Sequence, residues 1–482
     1  MKTKDVFVML FMTWHDAATL YKSVVKTFTI NAIPYQKHLI GIGSDNASTM
    51  VGKHHSFASC LRNDCNHLVC VRYICHSMAL WASYATKKLP EHLEQLLKDI
   101  YNYLSSSPAR LQMFEHIQDM LEFDPIRVPR LHDVRFLSRG QVVKVVVSRY
   151  EPLSIYFKFA SNEDKLSNAL KIYNTLTDPI TELYMLFLDF ILPIIDSVNK
   201  LFQAEKPEII MLHTTLSRKV KQLLVYFIKS DVVRSTEPTA ISFHPHDLKP
   251  ANEIYAGVKV AALLNSKTYD QAQVLDFQNR CTQFYIELTK QMITRFLLDS
   301  DVFEKINLLQ PSTTINGSCM SLGPILKFFP TVINDNEWQD IDNEYHEVKC
   351  LDFELLKLTN DSNTEHFWMT IINLRRTDDD LNFPLLNRFL KGVLALPHSS
   401  AAAERIFSAQ NLNKNKLRNR MENDMLVGLL RTKDYLKVYG SANSIRIPSE
   451  MRERFHSGIY SSEQEEHDDD EDFHDIIQVL EK

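Results

Sequence analysis

From about residue 90 to residue 395, apolar side chains return every three or four positions, and few other patterns intrude. HLEQLLKDIYNYL, RLQMFEHIQDML, DPITELYMLFLDFILPIIDSVNKLF and LSRKVKQLLVYFIKS each put one apolar stripe on a helix. So long a stretch of helical period rules out a sandwich or barrel as the main architecture. Eleven glycines and 27 phenylalanines in 482 residues point the same way, because turn-rich β folds need glycine and helices are weakened by it. Asp178-Pro179 has the form of a helix start, a capping carboxylate followed by proline at the first helical position. The most apolar run, 179–202, is interrupted by Glu182, Asp189, Pro193 and Asp196, so it reads as a core helix and not as a membrane span.

The first ninety residues are different. Val6–Phe11, Leu39–Ser44 and Leu68–Arg72 are short apolar runs with strand composition. Between them lie helical patterns: 17–28, with Leu20, Val24 and Phe28 on one face and Asp16 at its start, and Ser48 to about Cys60. A further helix is expected from about His76 to Lys88. Strands separated by helices of that length imply parallel pairing between the later strands. Two stretches, 232–252 and 307–325, are polar or carry Pro and Gly, and read as linkers.

Charge is unevenly spread. The net value is -6, yet residues 463–482 hold ten acids and one lysine, which leaves 53 basic and 50 acidic groups for the rest. The stretch EQEEHDDDED is expected to be disordered, since like charges repel and nothing there packs. A nearly neutral body neither requires nor excludes nucleic acid. Seven cysteines, an odd number, fit reduced thiols inside a cell, and no signal peptide or membrane segment is expected.

Few residues stand out for chemistry. Asp45 ends a strand and is followed by Asn46-Ala47-Ser48, a place where open α/β sheets bind ligands; a helix cap is the plainer reading. Cys60, Cys65, Cys70 and Cys75, with neighbouring histidines, lie at intervals of five, and structural zinc sites use closer pairs. His76 reads as a core histidine near a helix start. In PHSSAAAERIFSAQNL, Ser399 or Ser400 caps a helix on which Glu404, Ser408 and Asn411 share a face beside Phe407. Glu404 by itself serves the helix dipole. Lys414, Lys416, Arg418 and Arg420, with Arg405 behind them, form a cationic stretch: a solvated loop, or a set of salt-dependent phosphate contacts. Asn423 is expected to cap a last helix with Leu426, Leu429 and Leu430 on one stripe.

Several of these segments together resemble the hAT (hobo/Ac/Tam3) superfamily of transposases and the host proteins derived from it. They are LIGIGSDNASTMVGKHHS, VRYICHSMAL, DVRFLSRGQ with Tyr150-Glu-Pro-Leu153, and PHSSAAAERIFSAQNLNKNKLRN followed by MLVGLLRTKDYL. The resemblance implies α/β plus α architecture: an RNase H-like core at 1–90, a helical insertion at 91–395, dimerisation helices at 396–440 and an acidic tail at 441–482. It implies three carboxylates holding two divalent metals, Mg²⁺ or Mn²⁺, at about 3.5–4 Å separation for in-line displacement at phosphate. Asp45 matches the second Asp, Glu404 the Glu, Arg405 and Ser408 its companions, and His76 the histidine of the Cys-x-x-His motif.

Departures accompany the likeness. Tyr73 stands where the motif has Cys, and Phe136 where a tryptophan usually follows the loop arginine. By order of elements Val6–Phe11 matches the third strand of the core, so its first two strands, and the first Asp, are not expected in this sequence. The expectation is therefore a truncated or domesticated derivative, without complete catalysis and without a bound cofactor, and resident in the nucleus. It would act by homo- or heterodimerisation through 397–436, with weak DNA contact as an addition. The alternative is an active metal-dependent transposase or nuclease with a further N-terminal part. A non-functional remnant and a zinc-dependent interaction module are the other readings.

Overall fold

The computed structural model describes residues 16–44, 47–52, 54–72, 74–131, 136–163, 167–202, 209–295, 301–397, 401–414, 418, 420–439, 447 and 449–453. The expected strand Val6–Phe11 and the acidic stretch 463–472 lie outside them, while a short helix at Ser449–Glu453 falls within the 441–482 tail. Most of the described chain is helical. In chain order it begins with α1 (Ala17–Ile30), α2 (Tyr35–His38), β1 (Gly41–Ser44), α3 (Ser48–Val51), α4 (Phe57–Asp64), β2 (Val69–Arg72) and α5 (Ile74–Thr86). The long helices that follow are α6 (His92–Ser105), α7 (Pro108–Met120), α8 (Phe136–Ser148), α9 (Tyr150–Glu163), α10 (Ser167–Thr177) and α11 (Pro179–Phe202). Next come α12 (Leu212–Phe227), α13 (Ser230–Ser235), α14 (Val258–Ser266), α15 (Gln271–Arg295), α16 (Asp301–Ile306), α17 (Pro311–Ile315) and α18 (Gly323–Leu326). The last are α19 (Trp338–Val348), α20 (Thr364–Ile372), α21 (Pro384–Leu394), α22 (Ala401–Asn413), α23 (Asn423–Tyr439) and α24 (Ser449–Glu453).

The chain divides into two compact units. One joins residues 1–38 and 47–66 to 400–482; the other joins 39–46 to 67–399. In the first, Asp16 caps α1 by accepting the Thr19 amide at 2.7 Å. Asp64, at the end of α4, accepts the Tyr21 hydroxyl at 2.5 Å and the Tyr35 hydroxyl at 2.6 Å, which ties α1 and α2 to α4. That carboxylate raises both phenol pKa values. The single helix expected from Ser48 to Cys60 is broken. Ser56 donates to the Gly52 carbonyl at 2.7 Å and forms a capping box with Ser59, so α4 restarts at Phe57 and Cys60 falls inside it.

In the second unit β1 and β2 pair in parallel, Gly41 opposite Val69 through Ser44 opposite Arg72, as the strand–helix–strand pattern implies. Two paired strands are common to many α/β folds. They bear out parallel pairing and do not single out an RNase H-like core. Gly41 is required by packing: a Cβ there would lie 2.6 Å from Leu396 Cδ2 and 2.9 Å from the Val69 carbonyl. The strand thus lies directly against Leu396, just past the end of the helix Pro384–Leu394 and some 350 residues later in sequence.

The bulk of this unit is a helical assembly around α11. Asp178 caps α11 as expected, accepting the Thr181 amide at 3.1 Å, and Pro179 is its first residue. Leu183, Met185, Phe187, Ile191 and Leu192 are fully buried, which makes 179–202 a core helix. No helix among the described residues is long and apolar enough to cross a membrane. The two stretches read as linkers are partly structured and packed. Ile241, Leu309, Leu322 and Ile325 are buried there, and α13, α17 and α18 are short helices within or beside them. Isolated apolar residues in a polar run were enough to anchor short turns to the core.

Candidate functional site

The expected catalytic groups have no described geometry. Asp45 lies outside the described residues, just past the end of β1. Glu404 is in α22 and His76 in α5, but both side chains lie outside the described set. Among the described residues no group of three or more His, Cys, Asp or Glu side chains is placed to hold a metal ion.

The described part of the C-terminal block is a pair of helices, α22 and α23, that pack on one another. On α22, Ile406, Ala409, Gln410 and Asn413 are half-buried, spaced by three, one and three residues. That is one helix face. Arg405, Ser408 and Asn411 occupy the solvent side, with Phe407 58% and Leu412 70% exposed. Ser408 and Asn411 do share a face, as their spacing implies.

α23 has two apolar faces. Leu426 is fully buried and Val427 and Leu430 half-buried, so this face is turned inward. Leu429, expected on the same stripe, is 44% exposed; Met425 is 61% exposed and Leu436 half-buried. The reason is angular: at about 100° per residue, Leu429 lies about 60° to one side of Leu426 and Leu430 about 40° to the other. The stripe expected from three leucines is therefore split, and Leu429 groups with Met425 and Leu436. Met425, Leu429 and Leu436 stand four and seven residues apart, a spacing that itself places them on one helix face.

The cationic stretch between the helices is not uniform either. Lys414 is half-buried and its Nζ donates to Asn423 Oδ1 at 3.4 Å, a long bond across the turn. Asn423 is the first residue of α23, receiving that bond, and the Leu426 amide bonds to the Glu422 carbonyl at 3.0 Å, so the cap falls one residue earlier than expected. Arg418 and Arg420 are exposed, and Lys416 lies outside the described residues.

Upstream, α19, α20 and α21 pack wholly within the other unit. Tyr345, Phe367, Trp368, Ile371, Phe389 and Leu390 are fully buried. The Trp368 indole donates to the Leu309 carbonyl at 2.7 Å. Glu344 accepts the Leu385 and Leu386 amides at 3.1 and 2.7 Å, a carboxylate at the amino end of α21. Burial raises its pKa above the usual carboxylate value.

Residues 343–436, from the middle of α19 to near the end of α23, match the family model described as the hAT family C-terminal dimerisation region.

Proposed function

We propose, for a chain carrying a hAT family C-terminal dimerisation region, that it works by self-association through 397–436 and not by cutting DNA. The observation that carries the reading is the exposed apolar pair Met425 and Leu429 on one face of α23, in the last third of the matched region. Solvent-exposed apolar groups gathered on one helix face mark a surface kept for a partner. Tyr73 and Phe136, which depart from the family's motifs, support a site released from catalysis.

Arg418 and Arg420 are exposed in the stretch between α22 and α23 and suit phosphate contact, with the salt dependence that such contacts carry. A nuclear address goes with this reading. Static light scattering on the full chain tests it: a mass of twice 56.0 kDa at micromolar concentration is expected. A strict monomer there removes self-association. Mg²⁺- or Mn²⁺-dependent strand cleavage lost on Asp45→Ala or Glu404→Ala would replace the reading with an active nuclease.

A further inference from the structure

We propose that Met425, Leu429, Thr432 and Leu436 of α23 form a helix–helix seam against the same four residues of a second copy of this chain. The inference rests on the self-association reading and says which face carries it. The four residues are spaced by four, three and four, the seam of a heptad repeat. On a helix they fall within about 60° of one another. Met425 and Leu429 are exposed in the single chain, so their burial is still to be gained. Thr432 is exposed too, but its hydroxyl already donates to the Gly428 carbonyl at 2.8 Å. It can enter an apolar seam with its methyl group and leave no unmet donor.

Two more features favour this face. Gly428 flanks the seam, and a Cβ there would meet nothing within 4 Å, so its own unit leaves room for a close neighbour. Phe407 and Leu412 of α22 are more exposed than Leu429, but they are five residues apart and point about 140° away from each other. They cannot form one line.

A second copy is the occupant that the charges suit. Glu422 and Asp424 lie at the amino-terminal end of α23, and its carboxyl-terminal half holds Arg431, Lys433 and Lys437 with one acid, Asp434, a net positive charge. Antiparallel pairing of two identical helices sets each acidic end beside the partner's basic half and opposes the two helix dipoles favourably. A two-fold contact of this kind uses one patch twice.

The experiment is light scattering and sedimentation of the full chain in three forms: the natural sequence, Met425→Glu/Leu429→Glu, and Phe407→Glu/Leu412→Glu. The expected result is a dimer for the first and third and a monomer for the second, with helical circular dichroism unchanged. If Met425→Glu/Leu429→Glu fails to fold, Met425→Gln/Leu429→Gln is the replacement, with a rise in Kd of at least about tenfold, or about 1.4 kcal/mol, expected. A natural chain that dimerises while the seam variant dimerises equally well overturns the seam and leaves self-association standing. A natural chain that is monomeric overturns both.

Discussion

The matched region 343–436 has two parts that treat apolar side chains in opposite ways. In α19–α21 the large ones are spent on their own unit: Tyr345, Phe367, Trp368, Phe389 and Leu390 keep no exposed surface. Among the described side chains of α22 and α23 the buried share falls to Leu426 and a half-buried face, while Phe407, Leu412, Met425 and Leu429 stay in water. The first part is core, whose residues answer to packing density. The second is amphipathic on two sides, which a single chain has no use for. A region named for dimerisation thus holds its scaffold and its exposed surface in separate stretches of chain.

The largest expected effect lies in the scaffold. Trp368→Ala should cost about 3–5 kcal/mol of stability, since it opens a cavity and orphans the Leu309 carbonyl. Chemical denaturation of the full chain checks it, and a loss below about 1 kcal/mol would break the distinction between the two parts. Leu429→Ala should change unfolding by no more than about 0.5 kcal/mol, as exposed positions do, while weakening the dimer. Comparing melting with dimer dissociation separates the two effects.

An effect smaller than that of Trp368→Ala is expected at Asp196 in α11. Its carboxyl lies against Gly140 of α8, where a Cβ would come within 2.5 Å of Oδ2, and its Oδ1 has no hydrogen-bond partner. Burial pushes its pKa up to about 6. A carboxyl raised in the folded state favours folding when protonated, so this contribution is present below about pH 4 and is lost as pH rises through about 6. Asp196→Asn should therefore raise stability by about 1 kcal/mol at pH 7.5 and leave it nearly unchanged at pH 4. Thermal melts at both pH values test the sign. The smallest effect is expected at Asp45→Ala and Glu404→Ala, which should leave the dimer mass unchanged by light scattering. Dissociation by either would tie the carboxylates to association.

Much of the fold was legible locally. Asp178-Pro179 marks a helix start, because a capping carboxylate and a proline act through neighbouring amides alone. Parallel pairing of β1 and β2 followed from the strand–helix–strand order. The rest turned on single contacts that an average pattern hides. Ser48 to Cys60 has helical spacing throughout, yet Ser56 bonds back to Gly52 and ends the helix. The linker stretches looked polar on average, while single residues such as Leu322 and Leu309 found the core.

The candidate surface divides in the same way. Periodicity and the order of motifs determined, from sequence alone, that this is a mainly helical chain with hAT-like segments and a dimerisation block near its end. Both depend on which residues are present and how far apart they stand along the chain. Which of two apolar faces of α23 turns inward was decided only by the tertiary structure. Leu426, Leu429 and Leu430 are equally apolar, and only contact with the rest of the unit decides that Leu426 is covered and Leu429 is left in water.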